Sequence, residues 1–177
     1  MLTIDDISEA IIIKPWRYSQ IGLLQSRVND NTLIHLWHPK LRAPGIEWAG
    51  LMHSHRFAMT SHVIYGSLTQ CIWTAEYGGD KAIFDLNTRI VKRHGNVKVY
   101  KIEQYKVSAG ESYYQMDSEL HTTEISEPCI TVMSYAGPWM RSTMVCHDVD
   151  VFVQPSFTIS DEQKLNYLDE FRQCIGA

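Results

Sequence analysis

The sequence predicts a mainly β protein, a β-barrel or double-sheet jelly roll framed by a short N-terminal helix and a longer C-terminal one. Three observations carry that prediction. From about residue 15 to about 157, short runs rich in aromatic and β-branched residues alternate with turn signals. Helical periodicity shows only near the two ends. No internal repeat, low-complexity tract or Gly/Ser linker divides the chain, so 1–177 reads as a single domain.

Each element has its own signal. Thr3 caps a first helix in which Ile4, Ile7 and Ile11 fall at helical spacing. Thr32–His38 alternates, and Val63–Thr74 is rich in strand formers. Gly78-Gly79-Asp80 and His94-Gly95-Asn96 read as turns, the second leading into the alternating Val97, Val99, Lys101. Further strands are expected around Tyr105–Ser108, Pro128–Tyr135 and Asp150–Gln154. At the C-terminal end, Ser160 and Gln163 form a capping box, and Leu165, Leu168, Phe171 and Ile175 make one apolar stripe over about 160–175.

Bulk properties narrow the function. With 177 residues, 45% of them hydrophobic, the chain can bury a substantial core. A net charge of −4 and a pI near 6.0 give no electrostatic footprint for nucleic acid or an anionic membrane. No apolar run approaches the roughly 20 residues of a membrane span. The opening MLTIDDISEAIII is acidic where a secretory signal carries Lys or Arg, so no export is expected. Cys71, Cys129, Cys146 and Cys174 are scattered without a CxxC pair. Reduced thiols in a cytoplasmic protein are the expectation.

The chemistry concentrates in "GLMHSHRFAMTSHVIYGSL", Gly50 to Leu68. Residues i and i+2 on a strand project to one face, so His53 and His55 converge. Two neutral imidazoles at that separation suit Fe, Zn, Ni or Cu, and a third ligand from another strand completes a facial set. A second glycine–histidine segment, "GESYYQMDSELHTTE", follows with Gly110 and His121. His62 is the rival, but on a continuous strand it faces away from His55 and is expected to line the pocket or pack. His35, alternating with Leu33 and Trp37, reads as a hydrogen-bonded interior histidine; His38, His94 and His147 read as surface groups. Trp48, Tyr65, Trp73 and Tyr113 are either cavity walls or ordinary core.

These residues resemble the two motifs of the cupin superfamily, small metal-binding barrels of the double-stranded β-helix type. His53, His55 and Gly66 fall in register with the first motif, and Met59 stands where its glutamate would. Gly110 and His121 fit the second, with Met116, Ser118 and Ile125 replacing its proline, inner glycine and asparagine. The resemblance implies a jelly-roll barrel over about 15–157 holding a metal on His53, His55 and His121. Without the glutamate, three neutral ligands leave the cation its full charge, which favours an anionic, chelating substrate.

Three-histidine iron sites make the thiol dioxygenases the most similar subfamily. "RYSQ", Arg17 to Gln20, resembles that family's segment whose last residue points at the substrate, which implies Gln20 as a substrate contact. "EPCITVMSYAGP", Glu127 to Pro138, is similar to its strand carrying a catalytic tyrosine, here Tyr135, a hydrogen-bond donor beside the metal. The family's serine–histidine–tyrosine relay reads Thr131, Met133, Tyr135, so its histidine is missing. Met59 also replaces the cysteine that mammalian members crosslink to the tyrosine. Gln20 cannot pair a carboxylate as arginine does, which argues against L-cysteine. Arg56 and Arg141 are either carboxylate contacts or surface groups.

The expected function is an Fe(II)-dependent dioxygenase acting with O2 on a small substrate, a thiol first. Met59, His62, Gln20 and Arg141 would touch that substrate. A metal cupin for a non-thiol small molecule and a non-catalytic ligand-binding cupin are the alternatives. Cupins often dimerise through barrel edges, so the resemblance leaves both a monomer and a homodimer open.

Overall fold

Strand pairing in the computed structural model follows one rule. The structure describes residues 3–19, 22–41, 52–87, 90–136, 143–147 and 159–176. In chain order the strands are β1 (Arg17–Ser19), β2 (Leu23–Asn29), β3 (Thr32–Trp37), β4 (Met52–His53), β5 (Ala58–Tyr65) and β6 (Ser67–Asn87). After them come β7 (Ile90–Ser108), β8 (Ser112–Gln115), β9 (Leu120–Glu124), β10 (Cys129–Ala136) and β11 (Thr143–His147). β3 pairs with β10, β4 with β9, β5 with β8 and β6 with β7, all antiparallel. These are successive rungs of one folded-over ribbon. Winding it sends alternate rungs to opposite sheets, which is the double-stranded β-helix, or jelly roll.

The first sheet runs β1-β2-β3-β10-β5-β8 and the second β11-β4-β9-β6-β7, with β11 also pairing to β6. α1 (Ile4–Ile13) and α2 (Asp161–Cys174) cover the outer face of the first sheet. Ile7, Ala10 and Ile11 of α1 and Leu168 and Phe171 of α2 pack there on Leu24, Ile34, Leu36, Ile130 and Val132. The inner face meets the second sheet, where Trp37, Met59, Val63, Tyr113 and Met133 pack on Leu68, Val107 and Ile125. β3 and β10 are therefore buried on both faces, which is why "LIHLW" and "CITVM" are near-continuous apolar runs. Both helices begin with a capping box, Thr3 with Asp6 and Ser160 with Gln163. No helix among the described residues is long and apolar enough to cross a membrane.

Several sequence expectations change here. Val63–Thr74 is two strands divided at Gly66, whose φ is +72° and where a Cβ would stand 2.3 Å from the Pro128 carbonyl oxygen. Only glycine admits that backbone approach. Gly78-Gly79-Asp80 is no hairpin turn: it is a bulge inside β6, between the pairs Tyr77–Val97 and Lys81–Val97. A Cβ on Gly79 would meet the Val97 carbonyl oxygen at 2.2 Å. His94 likewise bulges from β7 between Arg93 and Gly95. Bulges and turns draw on the same residues, so composition alone does not separate them. The strand expected at Asp150–Gln154 lies outside the described residues.

His38, read as a surface group, is buried. The Lys40 N–H donates to its Nδ1 (3.1 Å), which leaves the Nε2 proton for Glu170 of α2 at 2.9 Å. Tyr167 and Phe171 flank the ring, at 5.2 and 5.9 Å between centroids. Burial pushes its pKa down, and the Glu170 carboxylate partly offsets this. The polar "WHPK" signal is local, whereas the cover comes from a helix far along the chain. His38→Ala is expected to cost about 1–3 kcal/mol, since it takes the acceptor from the Lys40 N–H and leaves a gap beside Tyr167 and Phe171. Hydrogen exchange should rise first along α2; unchanged protection there would contradict the clamp.

Candidate metal centre

β4 is short, and His53 sits at its end in register with His121 of β9. The chain leaves the strand before His55, but Ser54 holds it against β11. Its N–H donates to the Met144 carbonyl (2.9 Å), and its hydroxyl accepts from the Met144 N–H (3.0 Å). The Ser118 N–H donates to the His55 carbonyl at 3.2 Å. So anchored, the three imidazoles meet. Ring centroids lie 5.0 Å apart for His53–His55, 4.4 Å for His53–His121 and 5.0 Å for His55–His121. One nitrogen from each ring falls within 4.8 Å of the other two.

The spacing can be tested against a cation. Two imidazole nitrogens bound at ~2.1 Å and at about a right angle stand about 3 Å apart. Nε2 of His55 and Nε2 of His121 are 3.0 Å apart. The tautomer also fits. The Gln70 Oε1 of β6 lies 3.2 Å from the His121 Nδ1 and can only accept, so Nδ1 carries the proton and Nε2 presents its lone pair. Gln70 is in turn held by Thr123, whose hydroxyl oxygen is 3.0 Å from the amide nitrogen. Burial holds the pKa values of His55 and His121 well below the ordinary histidine range, and neighbouring histidines push the same way. The rings are neutral near pH 7, the form a metal requires. Three neutral nitrogens suit Fe(II), Zn(II), Ni(II) or Cu(II).

Gln70 carries no motif, yet it sets the tautomer of His121. The signal available was an amide on the same strand face as Leu68 and Ile72. Gln70→Leu is expected to weaken metal binding about 10–100-fold. Competition against a chromophoric chelator reads that change, and an unchanged affinity would remove Gln70 from the site.

The other sequence-derived residues fall in different places. Met59 is buried on the inner face of β5, opposite Tyr135 and Gln115. His62 needs correction. It lies on the outer face of the first sheet, beside Val132, with a ring nitrogen 2.8 Å from the Ser112 hydroxyl. The pleat sends it away from the interior, so it touches nothing bound at the three histidines. Tyr135 is inward but its hydroxyl is not aimed at the centre. It donates to the Asp30 carbonyl and accepts from Arg27 Nη1 at 2.9 Å. The Phe57 ring stands between, stacked on Tyr135 at 4.5 Å and on His55 at 5.8 Å. The β2–β3 turn thus competes for the phenol, which a sequence motif does not reveal. Gln20, Arg141 and Trp48 lie outside the described residues. Tyr113 is interior, whereas Tyr65 packs with the helix-facing cluster and Trp73 on the opposite face of the second sheet from His121.

No family model matches the chain, and no curated protein matches it. Solved structures do. A hydroquinone 1,2-dioxygenase in complex with Cd2+ and 4-hydroxybenzonitrile aligns at 10% identity and TM-score 0.37, over 64% of this chain and 63% of that one. The oxalate decarboxylase of Lactobacillus farciminis, in a formate complex, aligns at 12% and 0.40, over 72% and 32%. An uncharacterized conserved protein with a double-stranded β-helix domain from Klebsiella pneumoniae aligns at 17% and 0.28, over 83% and 96%. The chain thus spans less than two thirds of the first two. At such identities and TM-scores, the fold rests on the strand pairing itself and the chemistry on the residues: the chain is a double-stranded β-helix with three histidines gathered between its sheets.

Proposed function

We propose that the chain is a cupin-type metalloenzyme, a mononuclear non-heme iron dioxygenase that oxidises a small thiol. One observation carries the reading: three imidazoles meet at one point, with the tautomer of His121 set by Gln70. Bound there, iron(II) would supply the redox chemistry of dioxygen and a Lewis-acid position for a soft anion. The protein's part is positioning and exclusion of water. His53, His55 and His121 would hold the cation. Phe57, Met59 and Tyr135 form an apolar wall beside it. The balanced reaction is RSH + O2 → RSO2H, and it needs no external reductant.

A second reading has its own support. With the Tyr135 hydroxyl bonded to Asp30 and Met133 in the relay histidine's place, the thiol-specific apparatus is thin. A metal cupin for a non-thiol small molecule fits the same three histidines. An oxygen electrode separates the two. Iron-loaded protein with a thiol panel should consume one O2 per sulfinate formed. If no thiol raises uptake above that of metal-free protein, the thiol reading fails.

A further inference from the structure

His35 stands across the interior from the three histidines. It lies on β3, paired with Gln25 of β2 and Thr131 of β10, on the same inner face as Trp37, whose ring it meets edge-on at 5.8 Å. It is 9% exposed, and its Nε2 has no hydrogen-bond partner among the described residues. A second group on the same inner face is in the same condition. Gln115 of β8 is 2% exposed, and neither its amide nitrogen nor its oxygen has a partner among the described residues. Buried polar atoms without partners are costly, and folded proteins keep few of them. Two on one inner face, opposite a metal-ligand set, are what a ligand chamber leaves when its ligand supplies the missing hydrogen bonds.

We propose that His35 is the second anchor of the substrate: a ligand bound at the metal through one end hydrogen-bonds the His35 Nε2 through an uncharged polar group, a hydroxyl, carbonyl or amide. The inference rests on the metal reading of His53, His55 and His121, and names the substrate class that site would take. Charge is the discriminating argument. Burial holds the His35 pKa down at about 4, so the ring is neutral near pH 7 and offers a carboxylate no counter-charge. Gln115 is neutral too. Neutral walls select a neutral polar end, as a guanidinium would select a carboxylate. His35 acts as a positioning residue, and its replacement should change which ligands bind rather than whether the metal does.

The test uses cobalt(II)-loaded full-length protein and the visible cobalt spectrum. Probes are 2-mercaptoethanol and 3-mercapto-1-propanol, each against the alkanethiol of equal length, with 3-mercaptopropionate as the charged comparison. At least one hydroxythiol should bind roughly tenfold tighter than its alkanethiol, and tighter than the acid. His35→Leu should erase that preference while leaving cobalt stoichiometry and alkanethiol affinity unchanged. His35→Gln, which keeps a donor and an acceptor, should retain most of it, a rescue that a purely structural role would not produce. Equal binding of hydroxythiols and alkanethiols by the parent, or a preference that survives His35→Leu, overturns the proposal with the metal site intact. Tighter binding of the acid overturns the assignment of a neutral ligand. Protein that takes up no cobalt sinks the metal reading and this inference together.

Discussion

His121→Ala is expected to leave the protein folded and without its metal. His121 is the buried member of the trio and shares its neighbours' focus at 3.0 Å from His55 Nε2. Removing it leaves two half-buried imidazoles, and it also strips Gln70 of the ring it orients. Loss of a ligand's supporting partner alone costs about 10–100-fold in affinity. Loss of the ligand itself should therefore exceed about 100-fold, and dialysed protein should retain no iron. Elemental analysis reads the loss, and thermal unfolding shows that the variant is folded. A variant binding iron as tightly as the parent would remove His121 from the set, and with it the third corner of the site.

Phe171→Ala should have the largest effect on stability. Phe171 is fully buried at the meeting of α2, the outer face of the first sheet and the His38 ring. Truncating a buried phenylalanine costs about 3–5 kcal/mol in lost transfer energy and residual cavity. For a domain of this size that corresponds to a fall in Tm of about 10 °C. Leu165 sits six residues earlier on the same helix but is 58% exposed, so Leu165→Ala should stay within about 0.5 kcal/mol. Comparable losses from the two variants would mean that α2 does not dock through the face described.

Much of this was legible in the sequence where the signal is local. The Thr3 cap, the Ser160–Gln163 capping box, the strands at Thr32 and Cys129 and the histidine pair each follow from residues close together in the chain. So does the division of labour between strands and terminal helices. What was not legible depends on distant partners. His38 reads as exposed until α2 lies over it. The turn signals at Gly78 and His94 are bulges because β6 and β7 continue past them as one ribbon. Tyr135 matches a motif, but the Asp30 carbonyl, reached across the β2–β3 turn, takes its hydroxyl. Gln70 has no motif at all, and only the β6–β9 register brings it beside His121. His35 shows the same limit from the other side. A hydrogen-bonded interior histidine was expected, and the interior position is found with the Nε2 bond missing.

Metal held by three imidazoles is the central claim made of this protein. X-ray absorption at the metal edge, combined with elemental analysis of protein incubated with iron(II) and then desalted, addresses this directly. About one ion per chain is expected, with three nitrogen neighbours at ~2.1 Å carrying imidazole scattering, and with that signal lost in His121→Ala. Protein that retains no metal after loading, or holds it with an environment unchanged in His121→Ala, would contradict the account and leave a jelly roll whose histidines do something else.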